Sequence, residues 1–182
     1  MFGLGKKAIP LNQLADVLAS AAIRPLLQPT KQDVIFLAED ESYGVDKARF
    51  QCEAAALQFF AVTAAINTHK LSGGLKPELA SQLAEATIRA YLHKFENDLS
   101  FEAKLAFAAC AEEKRGVEFV YDRVEQYATS ENFVAPHQKI PEMFSQFCGA
   151  PARNGPLERI GWSIFIARGN VYIDILKKVK VV

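Results

Sequence analysis

FQCEAAALQFFAVTAAI, residues Phe50 to Ile66, is the stretch that decides the fold. No ionisable side chain occurs between Glu53 and His69. Its apolar residues fall on every side of a helix with 3.6 residues per turn, whereas a surface helix has one apolar stripe and an opposite polar face. The stretch therefore predicts a central helix over residues 46–70 that neighbouring elements cover almost all round.

The ends of this helix are marked by residues that favour helix termini. Asp46 is a typical N-cap, and Gly73 and Gly74 follow Lys70 where the helix should end. The apolar residues form two lines along the helix. One line is Phe50, Ala54, Leu57, Ala61 and Ala64, and the other is Cys52, Ala55, Phe59, Val62 and Ile66. Because the lines lie on different sides of the helix, neighbouring elements must cover it almost all round.

Composition indicates one globular domain spanning residues 1–182. Half of the residues are hydrophobic and 23% are charged, which is ordinary for a globular protein with its own core. Lys plus Arg and Asp plus Glu are both 21, so no net field attracts the whole molecule to nucleic acid or to an anionic membrane. We expect an all-α, single-domain bundle of about six helices.

Cysteine usage predicts a reducing, cytoplasmic environment. The three cysteines are odd in number and widely spaced, and neither a disulfide framework nor a zinc pair follows from them. They are Cys52, Cys110 and Cys148. The first 22 residues carry two lysines before an apolar stretch, but polar residues at 12, 13 and 16 interrupt it, so we do not interpret it as a secretory signal.

The remaining helices follow from apolar periodicity and from prolines. We predict a loose arm over residues 1–9, a helix from Pro10 that ends or kinks near Arg24, and a short helix at 34–38 after a capping box of Thr30 and Asp33. A helix from Pro77 shows one broad apolar face, which should pack antiparallel against the central helix. Another starts at Ser100. Gly116 is either a true break or a kink, and we favour a kink, with the helix continuing to Ala128.

Two segments allow more than one interpretation. Residues 129–156 contain four of the eight prolines, and we predict a loop there with one short helix near 141–147. It is either a wrapped connection or a binding loop. Residues 157–182 have apolar spacing that predicts a long helix, whereas the β-branched residues around Arg168-Gly169-Asn170 also suit a β-hairpin; we favour the helix.

The titratable residues give no recognised catalytic pattern. The spacing of His69, His93 and His137 is uninformative, and no Glu-x-x-His motif occurs. Glu118, Asp122 and Glu125 share one helical face and suit Mg²⁺, although interleaved arginines favour a solvated, salt-bridged face. Phosphate-binding and hydrolase motifs are absent from the sequence, so we expect no cofactor and favour a non-catalytic protein.

Lysines lie near both ends of the sequence. Lys6 and Lys7 are at the start, and Lys177, Lys178 and Lys180 are at the end. Nucleic-acid binding usually involves stacking aromatics or a readable helix as well, which these segments lack. We therefore interpret the lysines as solubilising and expect neither a nucleic-acid nor a membrane partner.

Five residues are candidates for contact with a ligand or a partner. Polar groups on the central helix need partners, and the proline-rich segment and the single tryptophan carry groups that often anchor interfaces. The candidates are Gln58, Asn67, His137, Arg153 and Trp162. Backbone or water partners for the first two, and core packing for Trp162, are the alternatives.

Three functions follow from these observations. The preferred one is non-catalytic binding or assembly through protein–protein contacts, including self-association through an apolar helix face. The second is a bundle that holds a small apolar ligand between Phe59, Phe60 and nearby alanines, with Gln58 or Asn67 orienting it. The third is a divalent-metal-dependent enzyme using the Glu118, Asp122 and Glu125 face.

Overall fold

The computed structural model describes residues 6–27, 45–101, 104–105, 116–129, 135–150 and 155–182. These residues form six helices and two short strands, so the predicted all-α fold is confirmed. In chain order the elements are β1 (Lys7–Ile9), α1 (Leu11–Leu27), α2 (Lys47–Leu71), α3 (Pro77–Asp98), α4 (Gly116–Tyr127), α5 (Pro136–Phe147), α6 (Gly155–Lys178) and β2 (Val179–Val181).

Helix α2 is the central helix that the sequence predicts. Asp46 caps its start, since the Asp46 Oδ1 atom accepts a hydrogen bond of 2.8 Å from the Arg49 backbone N–H. At its end Gly73 has φ +77°, and the Gly74 N–H donates to the His69 carbonyl at 2.9 Å. All residues from Cys52 to Val62 are buried.

Helix α2 separates two hydrophobic cores. Cys52, Phe59 and Val62 face a first core with α1, α3, part of α4 and the C-terminal part of α6. Phe50 and Leu57 face a second core with α4, α5 and the N-terminal part of α6. The central helix therefore contributes side chains to both cores, and each core depends on it.

The pairing of α3 differs from the prediction. Its apolar face packs mainly against α1, and its contact with α2 is less extensive. An ion pair between Lys94 Nζ and Asp16 Oδ1, at 2.9 Å, also joins α3 to α1. We predicted that α3 packs on α2 because a short loop joins the two helices. Helix α1 also has an apolar surface, with Leu14 and Leu18 fully buried, and α3 packs on that surface instead. The most extensive contact of α2 is with α6, which is not part of the α1–α3 pair.

Prolines interrupt the helices less than we predicted. Helix α1 continues through Pro25 to Leu27, and α5 begins at Pro136 rather than near 141, with Pro141 inside it. Pro136 suits the first helical turn, and Pro141 is buried, so packing offsets the backbone hydrogen bond that it cannot donate. Much of the predicted loop at 129–156 is therefore helix.

The C-terminal segment is helical, and it ends in a strand that the sequence did not predict. Arg168, Gly169 and Asn170 lie inside α6, so the hairpin alternative is wrong. β2 pairs with β1 in parallel, with Lys7 opposite Val179 and Ala8 opposite Lys180. Hydrogen bonds from Val182 N–H to Ile9 O (3.0 Å) and from Leu11 N–H to Val182 O (3.3 Å) extend the pairing. Residues 7–9 are thus a strand rather than a loose arm.

Several predictions fall on residues outside the described ranges. They are the capping box of Thr30 and Asp33, the short helix at 34–38 and residues 106–115 of the helix that we predicted to run through a kink at Gly116. The predicted helix start at Ser100 is confirmed, because Phe101, Lys104 and Leu105 are helical and the Lys104 N–H donates to the Ser100 carbonyl at 3.0 Å. Within the described part of the chain, no helix is both long and apolar enough to span a bilayer.

Candidate functional site

Gln58 and Asn67, the polar candidates on α2, do not converge on one pocket. They are nine positions apart, which at about 100° per residue places them on opposite faces of the helix. Gln58 is 7% exposed, and its Oε1 atom has no hydrogen-bond partner among the described residues. Asn67 is half-buried. A ligand oriented by both side chains together is not compatible with this placement.

Thr63 is another polar residue in the apolar part of α2, and the helix itself satisfies it. Its Oγ1 atom donates a 2.8 Å hydrogen bond to the Phe60 carbonyl, three residues earlier. Such local bonds between threonine hydroxyls and the preceding turn are common in helices. The Thr63 hydroxyl therefore needs no ligand to satisfy it.

The other candidates lie on separate helices. His137 is exposed in the first turn of α5. Trp162 is half-buried on α6, with its ring centroid 5.8 Å from that of Phe165. Arg153 lies outside the described residues. Neither the core interpretation of Trp162 nor its interface interpretation is decided by partial burial.

The acidic face of α4 does not form a metal site within the described residues. Glu118 and Glu125 are exposed and Asp122 is half-buried, and no group of three or more His, Cys, Asp or Glu in the described ranges is placed to hold a metal ion. Arg123, which we expected to interleave with these acids, instead points into the molecule. The metal-dependent enzyme remains an untested prediction.

The strongest polar feature of the interior is an ion pair between α2 and α4. Glu53 is fully buried, and the Nε atom of Arg123 donates to both Glu53 carboxylate oxygens at 2.9 Å. The Nη2 atom of Arg123 lies 2.9 Å from Glu53 Oε1, and Nη1 donates to Gln126 Oε1 at 3.1 Å. A guanidinium that meets a carboxylate through two nitrogens fixes the relative position of the two helices.

Phe147, at the end of α5, connects this ion pair to a second arginine. The Arg123 guanidinium carbon lies 4.2 Å from the centroid of the Phe147 ring, a cation–π arrangement. The Nε atom of Arg49 donates a 2.6 Å hydrogen bond to the Phe147 carbonyl, one of the α5 carbonyls that have no partner within the helix. We call Arg49, Glu53, Arg123 and Phe147 the polar cluster.

Burial dominates the electrostatics of the polar cluster. It raises the pKa of Glu53, although the hydrogen bond and the charge of Arg123 act in the opposite direction. Burial also raises the pKa of the neighbouring Cys148 thiol and of the Tyr127 phenol, and the Glu53 carboxylate adds to both shifts. A thiol of raised pKa is a poor nucleophile, so these groups suit a structural role.

The sequence contained a signal for this cluster that our interpretation did not use. Glu53 is an acid in a helix that is otherwise apolar all round, and a buried carboxylate needs a cationic partner. Arg123 is a basic residue among apolar positions of α4. Periodicity alone could not pair them, because they are 70 residues apart in the chain.

An exposed apolar pair follows α3. Phe101 is 75% exposed and Leu105 is 59% exposed, and both are helical. Their i, i+4 spacing places them on the same face of one helical turn. We call these two residues the apolar patch. Single exposed apolar residues are normal on a protein surface, but adjacent large ones are typical of interaction sites.

No protein-family model, curated protein or solved structure matches the chain. The functional proposal consequently depends on the chemistry of the described surface and core. Of the features above, the polar cluster is internal and holds helices together. The apolar patch is exposed, so a second molecule can reach it.

Proposed function

We propose that this chain is a non-catalytic helical protein that acts through protein–protein contacts and self-associates through the apolar patch. The observation that supports the proposal is the exposure of Phe101 and Leu105 on one helical turn. Burying a large apolar side chain is worth about 1.5–3 kcal/mol relative to leaving it in water, so the pair favours any contact that covers it.

A second copy of the chain is the partner that fits this patch best. The 21 basic and 21 acidic residues leave no net charge to keep copies apart. A two-fold contact places Phe101 of one copy against Leu105 of its partner, so two apolar residues per chain become four at the interface. A cytoplasmic location agrees with this proposal, and it rests on the cysteine usage described above.

Analytical ultracentrifugation over a range of protein concentrations tests the proposal. We expect the unmodified chain to form dimers as concentration rises, and the double variant Phe101→Ser, Leu105→Ser to remain monomeric over the same range. Leu71→Ser is the matched control, because Leu71 is an equally exposed apolar residue on a different helix, at 76%. A monomeric unmodified chain, or a double variant that dimerises equally well, contradicts the proposal.

The small-ligand bundle is a second candidate, favoured by unsatisfied polar groups in the first core. The hydroxyls of Tyr91 and Tyr172 are buried and have no hydrogen-bond partner among the described residues. Phe59 stacks on Tyr91 with ring centroids 4.2 Å apart. Buried hydroxyls normally have a partner, and a bound molecule or a water would supply one.

Native mass spectrometry of the purified chain distinguishes this candidate from self-association. The ligand bundle is supported by an added mass that is smaller than the mass of the chain. This added mass should be lost on denaturation and should be absent from the Tyr91→Phe variant. An unmodified chain that carries no added mass at any concentration contradicts it.

A further inference from the structure

The parallel pairing of β1 with β2 brings the two lysine groups of the sequence together. Lys7 lies opposite Val179 and Ala8 lies opposite Lys180, so residues far apart in the chain share one small sheet. All five lysines of these segments are exposed. They are Lys6, Lys7, Lys177, Lys178 and Lys180, and we call them the basic end.

The C-terminal end of α2 belongs to the same region of the surface. Ile66 of α2 lies in the first core, and Ile9 of β1 and Val179 of β2 pack against the same core. Burial, and then the charges of Lys6 and Lys177, lower the pKa of His69, which is 6% exposed. Leu71, two residues further on, is 76% exposed. Lys70 and Lys76 flank it in the sequence.

Among the described residues, few acids lie close in sequence to the basic end. Asp174 lies one turn before Lys177 on α6, and Glu78 follows Lys76 at the start of α3. No lysine of the basic end is within ion-pair distance of an acid among the described residues, whereas Lys94 and Lys139 elsewhere each have an acidic partner. The charge of this surface is therefore available to an external anion.

We propose that the basic end binds the surface of an anionic lipid bilayer, with the lysines against the headgroups and Leu71 inserted at the headgroup boundary. This inference is independent of self-association through the apolar patch. Basic residues beside an exposed apolar side chain are the combination that holds proteins on membrane surfaces without spanning them. We interpreted the lysines as solubilising when the two groups were considered separately. The pairing of β1 with β2 brings the groups together and changes that interpretation.

The composition of the basic end favours lipid over other anionic partners. Its cations are all lysines, which attract headgroups as point charges, whereas arginine prevails where phosphates are recognised by geometry. Residues 6–9 and 177–181, which carry these lysines, contain no aromatic ring, and stacking aromatics are the usual means of holding single-stranded nucleic acid. Lysine is also depleted from protein–protein interfaces.

Vesicle co-sedimentation with the full chain tests the proposal. The probes are vesicles of pure phosphatidylcholine and vesicles containing phosphatidylcholine and phosphatidylserine, at low and at physiological salt. Each lysine near an anionic surface contributes roughly fivefold to partitioning, so we expect Lys177→Gln, Lys178→Gln, Lys180→Gln together to weaken binding to the anionic vesicles by about 100-fold. Added salt should weaken binding by the unmodified chain.

Control variants separate surface charge from its location and from folding. Arg89→Gln with Lys139→Gln removes exposed charges outside the basic end and should leave vesicle binding unchanged. Leu71→Ser should weaken binding several-fold without changing its salt dependence. Circular dichroism confirms that each variant is folded.

Three outcomes overturn the proposal. One is equal binding to neutral and anionic vesicles, and another is a lysine variant that is folded and binds anionic vesicles normally. The third is retention by a single-stranded oligonucleotide under conditions where vesicles are not bound, which would assign the basic end to nucleic acid instead.

Discussion

Glu53 is an acid in the most apolar helix of the chain, and its energetic role depends on Arg123. The carboxylate is fully buried and meets the guanidinium through two nitrogens. Removing one member of such a pair leaves a buried charge without its partner, whereas replacing both by apolar residues of similar size is nearly neutral. The pair therefore specifies where α4 sits on α2 more than it adds to stability.

This reasoning predicts the result of a double-mutant cycle. Arg123→Met should lower the free energy of unfolding by about 3–5 kcal/mol, since it leaves the Glu53 carboxylate unpaired. The double variant Glu53→Leu, Arg123→Met should recover most of that loss. Urea unfolding followed by circular dichroism at pH 7 measures both. A double variant as unstable as Arg123→Met would show that the aromatic contacts of Arg123 matter more than its charge.

His69 makes the folded state less stable as pH falls. A histidine that gains an acidic partner has the opposite effect. Burial and the nearby lysines lower its pKa below 6.5 in the folded state, so the unfolded chain binds a proton first as pH falls. Stability contributed by neutral His69 is complete above pH 6.5 and is lost as pH falls below that value.

The comparison with His69→Gln isolates this effect. Between pH 7.5 and about 5.5, where His69 of the unfolded chain gains its proton, the unmodified chain should lose more free energy of unfolding than the variant does. The raised pKa of Glu53 changes stability in the reverse sense, but it is present in both proteins and cancels in the difference. Identical pH profiles for the two proteins would mean that the His69 ring is protonated as readily folded as unfolded.

At the scale of elements, the contact between α5 and α6 depends on one glycine. A Cβ atom at Gly161 would lie 2.6 Å from Cδ1 and 2.9 Å from Cβ of Phe144, whose side chain is fully buried. Gly169 on the same helix has no atom within 4 Å of that position. Gly161 is thus required by a close approach, and Gly169 is not.

The two glycines predict opposite effects of the same substitution. Gly161→Ala should destabilise the fold by about 1–3 kcal/mol, because the helical preference of alanine does not offset the displacement of Phe144. Gly169→Ala should stabilise it by about 0.5–1 kcal/mol. Thermal unfolding of both variants measures the contrast. A neutral or stabilised Gly161→Ala would mean that α5 can shift away without cost.

Local features of the sequence were enough to predict some elements and not others. The central helix could be predicted with its cap and its end, because Asp46 and the glycines after Ser72 act within a few residues of their position. α5 was placed too late because Pro141 suggested a helix start, although Ile140, Met143 and Phe147 already had helical spacing. The strands could not be predicted, since β1 is stable only beside β2, which is non-local.

The candidate site residues show the same limit. Polar residues in an apolar helix indicated unusual positions, but Gln58 and Asn67 proved to face opposite sides. Glu53 was the more informative residue, and its partner on α4 could not be identified without the packing of the two helices. Exposure of Phe101 also depends on what packs beside it, which periodicity does not specify.

At the scale of the molecule, α2 couples the two cores into one unit. Phe50 and Phe60 contribute to the second core and Phe59 to the first, so neither core can lose α2 and remain covered. Helix α6 also takes part in both, through Ile164 and Tyr172. We therefore expect a single cooperative unfolding transition.

Two probes of one variant test this cooperativity. Phe144→Ala removes a fully buried ring from the second core and should cost about 3–5 kcal/mol. Fluorescence of Trp162, the single tryptophan, and circular dichroism of all the helices should show the same urea midpoint, before and after the substitution. An earlier fluorescence midpoint in the variant would show that the second core unfolds separately.

Helix α2 belongs to both cores, and β1 needs β2 as its partner. These two features determine when the protein can finish folding during synthesis. At ribosomal rates of about 5–20 residues per second, residues 179–181 emerge roughly 10–35 s after residues 7–9. For most of that interval α6 is not yet available, and the most apolar helix of the nascent chain has one side uncovered. Translation, rather than the folding step, therefore determines when β1 meets β2, and the growing chain is the form most exposed to aggregation.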